Sequence, residues 1–447
     1  MPRRLGMNRV FAIVFIAAVS SAFRGEARAA DSAPASRTVA IPLADPLRGF
    51  DASTVAWNSA TQIFSASTQY LATVLKWDSS FKGRLAYLAL DSYLNGATAY
   101  YSHEMAHRFH QKNDTRHFWL DFSDWSYFYP KFEIGDWRDY WDAQELREYV
   151  YSNNPDLDTR VRRWLILMKE SGLYQEKCNA RFVAQMSSRA GSTTISHAIS
   201  FAINHIDDAA YNLDRGEVPI LAEYVLGHEV LQDNDITGYI HTMRDLGATI
   251  SRDDWLISSI LAFAASGQTW NSARATYRYV AHGRRSVDNL TWSISDRVAL
   301  SPPNFYLFAT YHGLYLESET CIGMLSPGNR RIHVVLGTGL DTFGLNQTGS
   351  VDWLRVGGRY DAIDLDLRFI TLSLSPYCYA DLTRGLKHRG QSLGAEIYCP
   401  LGARFSLQGT IEYNKNDILE GVIKNKDEGM YFLVAAGLNL QKNSSAQ

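Results

Sequence analysis

Beyond its first thirty positions the sequence has no apolar run long enough for a transmembrane helix. The best, Ile257 to Ala265, is a core segment by size. It has no Lys/Arg block either: 44 basic residues stand against 47 acidic ones, for a formal net charge of -3. A nucleic-acid partner therefore has no electrostatic support. Cysteine is scarce. Cys178, Cys321, Cys378 and Cys399 are the only four, and their spacing matches no zinc-knuckle pattern. Cys378 and Cys399 lie on neighbouring predicted strands and are the best-placed disulfide pair, with four free buried thiols as the other reading. No Gly-rich phosphate loop, nucleophile elbow or dinucleotide fingerprint appears, which removes the commonest nucleotide-binding and serine-hydrolase signatures.

The 447 residues are 46% hydrophobic, 20% charged and 13% aromatic, a globular composition with length enough for two or three domains. Residues 1–29 read as a cleavable signal peptide. Arg3, Arg4 and Arg9 precede an apolar stretch, Val10 to Val19, and Ala27-Arg28-Ala29 is a small-x-small cleavage site. Residues 30–50 read as an N-terminal tail. Residues 51–300 read as a mainly helical domain and residues 301–441 as an antiparallel β-domain, giving an α+β chain.

The helical period predicts one long helix over Arg84 to His110 and another over Leu157 to Glu170. Ser171-Gly172 is read as a break, with a further helix from Leu173 to Arg189. Helices also follow at Ile195 to Leu213, Ile220 to Gln232, Ile236 to Leu246, Ser251 to Ala265 and Trp270 to Val280. An aromatic stretch, His117 to Trp141, reads chiefly as core-packing loop, with a substrate surface as the alternative.

Past Ser301-Pro302-Pro303 the period becomes two. In Arg404 to Asn414, Phe405, Leu407, Gly409, Ile411 and Tyr413 share one face, while Ser406, Gln408, Thr410 and Glu412 share the other. Similar runs make seven or eight antiparallel strands, and the run from Ile363 slips phase near Phe369 and Ile370, marking a bulge or two strands. Two architectures fit: a transmembrane barrel with its apolar face outward, or a soluble barrel or sandwich with that face inward. Periodicity does not say which way the face points.

The chemistry lies in His103-Glu104-Met105-Ala106-His107. His103 and His107, one helical turn apart, share a face and can share a metal ion. Glu104 projects beside that position, where it can take a proton from a metal-activated water. Leu88, Leu90, Leu94, Ala97, Tyr100 and Tyr101 precede the motif in helical register, without proline.

At these residues the chain resembles the zincins, the HExxH zinc metallopeptidases. The resemblance implies a zinc cofactor, a peptide or protein substrate, and hydrolysis of an amide with Glu104 as general base and then general acid. Arg108 and the lack of a glycine-spaced third His depart from the metzincin branch. The gluzincin branch takes a Glu from a later helix as third ligand. That implies Glu176, with Glu145, Glu148 and Glu223 as competitors. Ala180 stands where such families often carry an Asp that supports a ligand His, so that carboxylate must come from elsewhere if Glu176 is a ligand. His197 and His205 are candidates for steadying an oxyanion, though each more often serves in a core. The whole implies a periplasm-facing exported hydrolase, associated with the outer membrane if the β-domain is a membrane barrel. The alternative is an outer-membrane structural, transport or partner-binding protein that hydrolyses nothing.

Overall fold

The structure is a computed structural model. It describes residues 38–42, 50–106, 118–121, 131–134, 155–213, 218–219, 231–232, 235–245, 250–310, 313–324, 331–339, 353–361, 363–366, 371–383, 389–401, 405–415 and 429–439.

Seven helices are described: α1 (Phe50–Val74), α2 (Phe81–Ala106), α3 (Pro155–Ala190), α4 (Ile195–Leu213), α5 (Asp235–Asp245), α6 (Arg252–Ala265) and α7 (Gly267–His282). Their ends follow local chemistry. The Ser80 hydroxyl accepts the Gly83 N–H at 3.0 Å and opens α2, and the Thr194 hydroxyl accepts the His197 N–H at 3.1 Å and opens α4. Pro155 begins α3, where its missing N–H costs nothing. Gly283, left-handed at φ 69°, closes α7 by donating its N–H to a carbonyl of the last turn.

The expected break at Ser171-Gly172 does not occur: α3 runs unbroken for 36 residues. Gly172 serves a close helix approach instead, since a Cβ there would stand 2.4 Å from the His103 ring. The segment expected to be helical at Ile220 to Gln232 lies mostly outside the described residues, and its end, Leu231–Gln232, pairs as a short ladder with Val218–Pro219. Within the aromatic stretch, Phe118–Asp121 and Lys131–Ile134 form a hairpin ladder, and the rest lies outside the described residues.

In chain order the strands are β1 (Thr38–Pro42), β2 (Phe118–Asp121), β3 (Lys131–Ile134), β4 (Ser192–Thr194), β5 (Val218–Pro219), β6 (Leu231–Gln232), β7 (Ser286–Asp288), β8 (Trp292–Ser295), β9 (Val298–Leu300), β10 (Asn304–Thr310), β11 (Gly313–Met324), β12 (Arg331–Gly339), β13 (Trp353–Asp361), β14 (Ile363–Asp366), β15 (Thr371–Thr383), β16 (Arg389–Leu401), β17 (Phe405–Lys415) and β18 (Gly429–Asn439). Twelve of them form one antiparallel sheet in the order β1-β18-β17-β16-β15-β13-β12-β11-β9-β8, with β10 also on β11 and β14 on β15.

The phase slip after Ile363 is a strand break, β14 folding back on β15. The run expected from Phe305 to Glu317 is likewise a hairpin of β10 and β11. The sheet exceeds the expected strand-rich region at both ends: β8 and β9 precede residue 301, and β1, from the expected tail, pairs with β18. Among the described residues no ladder closes the sheet into a barrel.

Helix α3 is the hub, packing against α1, α2, α4, α5 and β10. On one side of β10 and β11, Leu307, Leu314 and Leu316 join Tyr239, Met243 and Trp255 of the α5 and α6 region. On the other, Tyr306, Phe308 and Tyr315 join Tyr174, Val183 and Phe201 of α3 and α4. This end of the sheet is thus covered by helices on both faces. The four cysteines are free. Cys378 pairs across the ladder with Leu393, six positions from Cys399, a separation of roughly 20 Å at strand rise. The best-placed disulfide of the sequence is therefore not formed.

Candidate functional site

His103 sits in the last described turn of α2, with its ring 1% exposed. The helix α3 crosses behind it. Gly172 lies against the ring, and Glu176, one turn further along the same face of α3, reaches it. Glu176 Oε1 is 2.5 Å from His103 Nδ1, and Asp235 Oδ2, at the start of α5, is 2.8 Å from Nε2. The imidazole is thus bracketed by two carboxylates from two other helices.

Burial pushes the His103 pKa down, but the charges of Glu176 and Asp235 and their hydrogen bonds outweigh it and hold the ring well above its ordinary value. Both ring nitrogens then carry protons, one toward each carboxylate. The second carboxylate oxygen of Glu176, Oε2, is buried with no hydrogen-bond partner among the described residues. A polar seam continues along the helix contact. Asn179 donates to the Ser102 hydroxyl at 3.0 Å, and Gln175 donates to Asn179 Oδ1 at 2.8 Å.

Of the residues expected at the site, His103 and Glu176 are in direct contact, and Glu104 follows His103, half-buried. His107 lies outside the described residues, as do Arg108, Glu145, Glu148 and Glu223. Ala180 is fully buried in a hydrophobic cluster and holds no polar role. A second carboxylate does reach His103, that of Asp235, which the sequence reading did not single out. Its signal was faint: an acidic residue opening an amphipathic helix, which usually serves only the helix dipole.

His197 and His205 are occupied elsewhere. His205 donates from Nε2 to the Phe305 carbonyl at 2.6 Å and stacks among Phe201, Phe263 and Tyr306. Burial, with Lys177 nearby, pushes its pKa down to about 3, so it is neutral. His197 Nδ1 meets the Ser187 hydroxyl at 3.3 Å.

Among the described residues the bracket recurs once. On the sheet, His333 Nδ1 is 2.8 Å from Glu319 and Nε2 is 2.8 Å from Asp361.

The donor types of His103 and Glu176 are ones zinc takes, and Glu176 Oε2 has no hydrogen-bond partner among the described residues, but both nitrogens of the His103 ring already face carboxylates. Among the described residues no group of three or more His, Cys, Asp or Glu is placed so that it could hold a metal ion.

Fold and site together define an α+β chain whose helical half buries a carboxylate–histidine–carboxylate cluster beside an HExxH motif. The chain matches no protein-family model, no curated protein and no solved structure.

Proposed function

We propose that the chain is an exported zinc-dependent hydrolase of the metallopeptidase class, acting on amide bonds of a peptide or protein substrate. Its export rests on the leader-like first 29 residues, and it would work facing the periplasm. The observation that carries the reading is the meeting of His103 with Glu176, across 73 positions of sequence. The gluzincin resemblance implies a Glu from a later helix, and Glu176, with one oxygen unpartnered among the described residues, stands there.

In this reading His103, His107 and Glu176 hold the ion. Zinc when bound supplies a Lewis acid and a water acidic enough to react near neutral pH. Asp235 fixes the tautomer and orientation of the His103 ring by accepting its other N–H. Glu104 accepts the proton of the attacking water on its carboxylate and delivers it to the departing amine nitrogen. Because His103 holds two protons without metal, it must release one to bind it, so zinc affinity falls as pH falls. The test is metal content with activity. Purified chain should carry one zinc, His103→Ala should lose it, and Glu104→Gln should keep it while losing cleavage of a casein-like substrate.

A second reading has an observation of its own. The His333 bracket, with no HExxH beside it, has the same form as the His103 bracket. A carboxylate–histidine–carboxylate clamp can thus be a packing device in this fold, and the chain an outer-membrane structural, transport or partner-binding protein. Purified chain without zinc, and an unchanged phenotype for Glu104→Gln, would establish that reading.

A further inference from the structure

The sheet is inside out. Cross-strand partners point to the same face, so the register sorts its residues. One face carries Leu336, Val356, Leu393, Phe405, Ile411 and Phe432, all exposed; Leu393 is 60% and Phe432 65% accessible. The opposite face carries buried charge. Arg355 binds Asp381 through two hydrogen bonds of 2.7 Å, Arg359 pairs with Asp361 at 3.0 Å and with Glu396, and Glu412 accepts from Ser392 at 3.2 Å. A water-soluble sheet buries its apolar face, and here the apolar face is the bare one.

Part of the polar face is met by the chain itself. Arg181, Gln185 and Arg189, spaced by four along α3, form one stripe. They reach Glu317, Glu319 (3.1 Å) and both Asp361 (3.5 Å) and Glu396 (3.2 Å) in turn. The helix lies on the inner face as a plug.

The same inversion holds on α1, which packs against β1 at the sheet's edge. Its Ser65, Thr68 and Gln69 are buried, while Tyr70, Leu71 and Val74 are exposed. No charged residue lies between Asp51 and Lys76. No described helix is long and apolar enough to cross a membrane by its average composition, but α1 exposes Ile63, Phe64, Tyr70, Leu71 and Val74 on the side turned away from the protein.

We propose that the bare faces of β12 to β18 and of α1 are embedded in a lipid bilayer, with the C-terminal half of α3 lying on the polar inner face of the sheet. The dimensions fit hydrocarbon. Except for the short β14, these strands have 9 to 13 residues, against the roughly 9–11 that a tilted spanning strand needs. The 25 residues of α1 span about 37 Å. On β17 the outward set is uncharged from Phe405 to Tyr413 and ends at exposed Lys415, whose cross-strand partner Gln391 is also exposed and polar. A polar rim below an uncharged band is what a headgroup boundary requires. Two of the sheet's outer strands meet helices, α1 at β1 and α6 at β10. A second copy would cover one flat patch, whereas this band is uncharged on strand after strand and continues to the helix beside the sheet's edge. The proposal does not depend on the zinc reading, so a chain without activity should embed equally.

The native cysteines offer the test. Cys378 lies exposed on the outward face. With Cys178, Cys321 and Cys399 replaced by Ser, a fluorophore on Cys378 in the full chain reconstituted into dioleoyl-phosphatidylcholine vesicles should be quenched by doxyl-labelled lipid and not by aqueous iodide. The same fluorophore on Lys415→Cys should respond to iodide. The unsubstituted chain should float with the vesicles and resist extraction by carbonate, which keeps the proposal testable if the triple replacement misfolds. Iodide quenching at position 378, a chain that stays monodisperse without detergent, or a dimer that hides Cys378 from both quenchers would each overturn it.

Discussion

At the scale of single residues, Gly172 sets how closely α3 approaches α2. A methyl group there would press on the His103 ring from 2.4 Å. Gly172→Ala should therefore cost about 1–3 kcal/mol in urea denaturation, and should weaken zinc binding by displacing the ring. An unchanged stability would mean that the ring is not seated against α3. The two carboxylates at His103 have separable roles. Asp235→Asn should lower zinc affinity about 10–100-fold while leaving a stoichiometric site, as for partners that orient a ligand. Glu176→Gln should remove stoichiometric zinc. The reverse pattern, measured by metal titration, would exchange the two assignments. A helical turn fixes the spacing that made His103, Glu104 and His107 candidates, and of these His107 lies outside the described residues. Glu176 entered only through the resemblance, and its contact with His103 is what the structure adds. Asp235 was not singled out, because nothing local encodes that α5 begins against His103.

At the scale of elements, α3 belongs to both halves of the protein. Its Glu176 meets the buried histidine, and five residues further its Arg181 pairs with Glu317 while lying over the rings of Phe308 and Tyr306 at 4.9 and 5.6 Å. Glu317 is buried, and the loss of its water raises its pKa against the pull of Arg181 and Arg355. Removing the guanidinium leaves that carboxylate uncompensated. Arg181→Met should cost about 3–5 kcal/mol, and adding Glu317→Gln should recover part of it. If the double substitution in denaturant titrations is merely the sum of the singles, the pair is not coupled. The sequence showed the helix but placed a break at Ser171-Gly172. Glycine marks both breaks and close approaches, and only the partner's position tells them apart. The strands tell the same story. Alternation from Phe405 to Tyr413 was readable because side chains in a strand alternate, but the alternation is identical whether the apolar face turns inward or outward. Only packing of α3 on the polar side decides it.

At the scale of the whole molecule, buried ion pairs on the inner face tie the strands to one another and to α3. His333 Nδ1 lies 2.8 Å from Glu319 and Nε2 2.8 Å from Asp361, so one ring joins β11 to β13. Both carboxylates are buried, and removing the ring leaves each without that partner. His333→Leu should therefore cost about 3–5 kcal/mol. His333→Gln, which keeps hydrogen-bonding capacity, should cost less. The measurement is urea denaturation in detergent, with wild type and variants side by side. A His333→Leu chain as stable as wild type would show that His333 is not held between Glu319 and Asp361. The seating of α3 on a charged inner face would then lose its central contact, because Arg189 reaches the same Asp361 that clamps the histidine.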